Sequence, residues 1–95
     1  MLTGKQRRHL RALAHALHPL VQVGKDGVDD GLVAALDQAL ADHELVKVKV
    51  GENASATRDE VAGDLAGKTH SEVAQIIGNI VLLYRAAEEP TIELP

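Results

Sequence analysis

Gly24-Lys25-Asp26-Gly27 is the segment whose residue types and spacing point most directly to chemistry. It follows the β-rich run Leu20-Val21-Gln22-Val23 and precedes an amphipathic stretch over residues 29–43. Glycines on either side of a lysine, between a strand and a helix, leave backbone N–H groups open and let an anion approach with no Cβ in the way. The dipole of the following helix favours negative charge at the same end. The chemistry on offer is the clamping of a phosphodiester. Taken alone, Gly-x-x-Gly also describes a tight turn with no ligand, and Asp26 places a negative charge where the anion would lie.

A second feature lies upstream. Lys5, Arg7, Arg8, Arg11 and Lys25 fall in the first 25 residues with no acid among them. That segment carries +5, while the rest of the chain has five basic and fourteen acidic residues and carries −9. The alternative is a merely solvated helix face, but such asymmetry points to a local anion-binding surface. At ~100° per residue Arg7, Arg8 and Arg11 occupy one arc, roughly opposite a stripe of Leu10, Leu13 and Leu17. Lys47 and Lys49 alternate with Val46, Val48 and Val50, so they share the wet face of a strand. Basic helix face, glycine loop and lysine strand belong to one ligand class, nucleic acid. KH-type domains clamp an RNA backbone with a Gly-x-x-Gly loop in this way. One Tyr and no Phe or Trp leave backbone clamping and groove shape available, not aromatic stacking.

Other chemistries find no support. His15 and His18 have the separation of some metal-ligand pairs, but Pro19 ends the helix there and no Asp, Glu or Cys lies close in sequence. His9, His43 and His70 are isolated, and His43-Glu44 has no second histidine to make a zinc-protease motif. Ser55 and Ser71 lack a nucleophile-elbow context. With no cysteine, thiol catalysis, disulfides and iron–sulfur clusters are absent together. The sequence therefore predicts no catalytic residue, metal or cofactor. No apolar run approaches the ~18 residues of a membrane span, and the basic N-terminus lacks the apolar region of a secretory signal. A cytoplasmic protein is expected.

The elements that must position these residues follow from periodicity and punctuation. Residues 4–16 read as a helix capped by Thr3 and ended by Pro19. Leu20 to Val23 form a short buried strand. Residues 29–43 form the clearest helix, with Asp29 and Asp30 at its start and Leu32, Val33, Leu36, Ala39 and Leu40 on one face. Leu45 to Val50 alternate as a strand. After a loop over residues 51–56, Thr57 and Glu60 make a capping box. The helix they open turns Val61 and Leu65 inward, is weakened by Gly63 and stops at Gly67. Val73 to Ile77 and Ile80 to Tyr84 form a hairpin across Gly78-Asn79. The tail from Ala86 to Pro95 is acidic and holds two prolines, with a short edge segment at Thr91–Leu94. The fold class is α/β: a single compact domain with a small mixed four-stranded sheet and three helices, in the order α-β-α-β-α-β-β. Residues 1–86 make the domain and residues 87–95 the tail.

The run from Leu2 to His15, followed by Pro19, Val21, Val23 and Gly24 to Gly27, resembles the opening of the CRM domain, the chloroplast RNA splicing and ribosome maturation family with its YhbY-like bacterial members. His43 to Lys49 resembles that family's second-strand signature, and Gln75 to Gly78 with Ile80 to Arg85 its closing hairpin. The resemblance implies a shape similar to the C-terminal domain of translation initiation factor three. It also implies RNA binding in the cytoplasm on precursors of the large ribosomal subunit. The family's loop and basic helix fall on Gly24, Lys25, Gly27, Lys5, Arg7, Arg8 and Arg11. Asp26 and the acidic tail with Glu88, Glu89 and Glu93 depart from its pattern. The expectation is a non-catalytic RNA-binding protein, acting as a monomer on ribosomal RNA with no membrane or small-molecule partner. The RNA contacts expected are Lys5, Arg7, Arg8, Arg11, Gly24 to Gly27, Lys47 and Lys49. The alternative is a module that docks on a ribosomal or other protein without touching RNA.

Overall fold

The computed structural model describes residues 1–95. The chain runs α1 (Gly4–Ala14), β1 (Val21–Val23), α2 (Asp30–His43), β2 (Leu45–Val50), α3 (Arg58–Thr69), β3 (Glu72–Ile77) and β4 (Ile80–Tyr84). The strands lie in the order β1-β2-β4-β3, with β1 parallel to β2 and the other pairs antiparallel. This is the α/β domain with a mixed four-stranded sheet that the periodicity predicts.

Each helix starts where a side chain satisfies an orphan N–H. Thr3 and Gln6 bond reciprocally at 3.1 and 3.0 Å to open α1. Asp29 accepts the Leu32 N–H at 2.8 Å to open α2, and Thr57 accepts from Glu60 at 3.2 Å to open α3. The ends differ from expectation. The first helix stops at Ala14, and residues 15–17 tighten into three-residue turns before Pro19, the Leu17 N–H donating to the Ala14 carbonyl at 3.0 Å. The third runs through Gly67 to Thr69 and ends at His70, whose left-handed φ of 53° lets the Ser71 N–H reach the Ala66 carbonyl at 3.0 Å.

The sheet has a core on each face. Val21, Val23, Val46, Val48, Val81 and Leu83 meet Leu36 and Leu40 of α2 and Val61 and Leu65 of α3. On the opposite face Leu45, Ala74, Leu82 and Tyr84 meet Leu2, Leu10 and Ala14. The buried stripe of α1 is therefore Leu10 with Ala14, one turn apart. Leu13 and Leu17 are 40% and 37% exposed and Leu20 is 56% exposed, contrary to the predicted leucine stripe and buried strand start. The small Ala14 side chain lets the helix lie close on the sheet, which turns Leu13 to the flank.

The tail does not form the expected edge segment. Glu44, at the junction of α2 and β2, is 2% exposed and has a φ of 63°. Its carboxylate accepts the N–H groups of Ala87, Thr91 and Ile92 at 3.0, 2.7 and 3.1 Å, and the Thr91 hydroxyl as well. The N–H groups a sheet edge would need are thus committed to a carboxylate. Ile92 and Leu94 pack on the α1 side. Burial pushes the Glu44 carboxyl up, but the hydrogen bonds from the Thr91 hydroxyl and the three backbone N–H groups outweigh it and hold it at about 2. Arg85 joins the other layer, donating to the Asp37 carboxylate at 2.6 Å and the Thr69 carbonyl at 2.8 Å.

Candidate nucleic-acid interface

The sheet separates the basic residues of α1 and β2 from the acidic residues of α2 and α3, while the acidic tail lies on the α1 side. Lys5, Arg7, Arg8 and Arg11 ride on α1, and Lys47 and Lys49 point to the same side of the sheet. Asp30, Asp37, Asp42, Asp59, Glu60 and Asp64 ride on α2 and α3 behind it. Lys5, Arg7, Arg8, Arg11, Lys25 and Lys49 are all exposed. The ion pairs of the molecule are Met1–Glu72, Lys68–Asp64 and Arg85–Asp37, so none of those six cations is neutralised by a carboxylate.

The first helix covers only part of its sheet face. Strand register sets Gln22 beside Lys49, Lys49 beside Ile80 and Ile80 beside Ile77, a row across all four strands. The next row sets Lys47 beside Leu82 and Leu82 beside Gln75. Between these rows and the end of α1 lies a groove of about 210 Å³, lined by Arg11, Ala14, His15, Lys47, Gln75, Ile77, Ile80 and Leu82. Lys49, beside Ile80 in the strand register, borders a separate polar cleft with Gln22, Gly51, Glu52, Asn53 and Asn79. Arg11 and Lys47 border the groove, and Lys49 borders the cleft. Lys47 is the least free of them. It is half-buried, and its ammonium donates to the Leu17 carbonyl at 3.0 Å, serving as a cationic cap for the residues that continue α1.

The Gly24–Gly27 loop sits apart from this groove. It closes on itself through the Gly27 N–H and the Gly24 carbonyl at 3.1 Å, and Gly27 has a φ of 68°. Asp26 and Gly27 face a cleft bordered by Ser55, Glu60 and Asp64. The loop also does not deliver a free helix N-terminus. Val28 and Asp29 intervene, the Asp29 carboxylate already takes the Leu32 N–H, and Asp30 adds a second charge. Gly24 differs from Gly27: its φ is not in the left-handed range, and a Cβ there would meet nothing within 4 Å. Space beside it, next to Lys25, is open to a ligand.

No cluster of three or more His, Asp or Glu side chains could hold a metal ion. No helix is long and apolar enough to cross a membrane.

The fold and this basic face define a class. Residues 2–85 match the CRS1 / YhbY (CRM) domain, and the chain belongs to that family. The chain is 45% identical to the "Probable RNA-binding protein YqeI" of Bacillus subtilis over 100% of both chains. It is 39% identical to an "RNA-binding protein" of Haemophilus influenzae, over 99% of this chain and 95% of that one. Among solved structures, the hypothetical protein SAV1595 of Staphylococcus aureus superposes with a TM-score of 0.84 at 43% identity over 100% of both chains.

Proposed function

We propose that the protein binds RNA through the basic face of α1 and the uncovered half of the sheet, without catalysing a reaction. One observation carries this reading: Arg7, Arg8, Arg11, Lys5 and Lys49 are exposed cations with no carboxylate partner, collected on one side of the domain. Exposed cations gathered on one face create a local field that attracts an anionic partner. Gly24 and Lys25 add contacts at the sheet's end, where the backbone of the strand can approach Gly24, and Asp26 limits them. Lys47 contributes mainly by fixing the end of α1. Residues 1–86 carry the binding, with residues 87–95 as a strap over the α1 side. The domain acts in the cytoplasm as a monomer.

The RNA is ribosomal, in precursors of the large subunit, as the CRM resemblance implies. Crosslinking in living cells followed by sequencing of the attached fragments tests this. Fragments should concentrate in large-subunit ribosomal RNA, including unprocessed ends. Fragments spread evenly over messenger RNA would refute the ribosomal assignment, and absence of crosslinked RNA would refute RNA binding. The exposed Leu13, Leu17 and Leu20 favour a second reading, docking on another protein. That reading requires binding that survives high salt.

A further inference from the structure

The groove beside α1 has a composition that phosphate binding does not need. Its floor is aliphatic: Leu82 is buried, Ile80 half-buried and Ile77 46% exposed. A surface that only tracked a sugar–phosphate backbone would gain nothing from an open apolar floor between cations. We infer that this groove receives one unstacked nucleobase of a single-stranded RNA segment, with the flanking phosphate on Arg11. The inference rests on the RNA reading above and deepens it.

Size, polarity and charge each favour this occupant. About 210 Å³ accommodates a single planar ring system, whereas a helix ~10 Å across would need a long trough. The walls offer the mixed donors and acceptors that a base edge requires. Gln75 is half-buried and its side-chain amide makes no hydrogen bond within the protein. Lys47 spends one N–H on Leu17 and keeps others. At the rim, the unpaired Arg11 guanidinium suits a phosphate or can lie flat on the base. The chain's single Phe, Tyr or Trp ring, Tyr84, is 6% exposed and offers no platform, whereas the imidazole of His15, exposed at the groove, is a ring on which a base can stack. Bases inside an A-form duplex cannot enter, which makes the groove a selector for single strands.

The test uses the full chain and the uncharged double variant Gln75→Leu with Ile77→Ala, at sites that are only partly buried. Its melting temperature confirms the fold, and Gln75→Leu alone serves if Ile77→Ala disturbs it. Affinity is measured for a short single-stranded oligouridine carrying one 2-aminopurine, and for the same strand with abasic riboses throughout. The inference expects the wild type to prefer the base-bearing strand and to change the 2-aminopurine fluorescence. It expects the variant to lose roughly ten-fold on that strand, nothing on the abasic strand, and no salt slope, because no charge has moved. Equal affinities of wild type and variant for the base-bearing strand overturn the base site and leave RNA binding by the arginine face standing. Binding of neither strand by the wild type overturns both.

Discussion

The Lys47 ammonium donates to the carbonyl of Leu17, thirty residues away, at 3.0 Å. A half-buried lysine on the α1-facing side of β2 thereby ties down the turn that follows α1.

Lys47→Met should therefore act on stability first. Losing a charge-assisted bond from a half-buried group costs on the order of 1 kcal/mol. The expected outcome is a lower melting temperature, with the salt slope of RNA binding changed by at most the ~0.7–0.9 of a single phosphate. Calorimetry and affinity titrations on the same variant check both.

Glu44 predicts an acid-sensitive strap. Its carboxyl sits at about 2 in the fold against 4.5 as the ordinary value. A lowered value means stability that is fully present above about 4.5 and lost as pH falls toward 2. Its upper bound is on the order of 3 kcal/mol. Glu44→Gln should be less stable at neutral pH and should show a flatter decline between about pH 5 and 2. Amide exchange at Thr91 and Ile92 should quicken in the variant. Protection there equal to wild type would contradict the strap.

Gly63 and Gly67 lie inside α3, exposed, with open space where a Cβ would go. Gly63→Ala and Gly67→Ala should each raise stability by ~0.5–1 kcal/mol. Denaturant midpoints read this directly.

In the Gly24–Gly27 loop the substitutions separate strain from binding. Gly27→Ala meets a φ of 68° and should cost ~1 kcal/mol of stability. Asp26 makes no hydrogen bond and caps nothing, because Asp29 does so. Asp26→Asn should leave the melting temperature unchanged and tighten RNA binding a few-fold at low salt, with less effect as salt rises. Unchanged affinity at low salt would remove the loop from the interface.

The core elements are legible in the sequence because their signals are local. Leu36 and Leu40 lie one turn apart, and Val46, Val48 and Val50 alternate, so burial follows from spacing. The arginine arc is legible for the same reason. The buried face of α1 is not, because the small Ala14 does the docking that leucine identity assigns to Leu13. Gly67 reads as a terminator because glycine commonly ends helices, yet His70 adopts the left-handed φ instead. The role of Glu44 depends on partners more than forty positions away, and that of Lys47 on a partner thirty positions away. Nothing in spacing reports such pairs. The base-sized groove arises only from the register of β2, β4 and β3 against α1, and periodicity carries no information on strand order.

RNA binding is proposed to turn on the arginine face of α1. The most direct measurement is the salt dependence of RNA affinity for Arg7→Ala, Arg8→Ala and Arg11→Ala combined, beside the wild type. All three side chains are exposed and unpaired, so the triple variant should keep its melting temperature. Its slope of log affinity against log salt should become shallower by ~0.7–0.9 for each phosphate no longer engaged, and affinity at low salt should fall accordingly. A triple variant with the wild-type slope and affinity would contradict RNA binding by this helix and leave its basic face merely solvated.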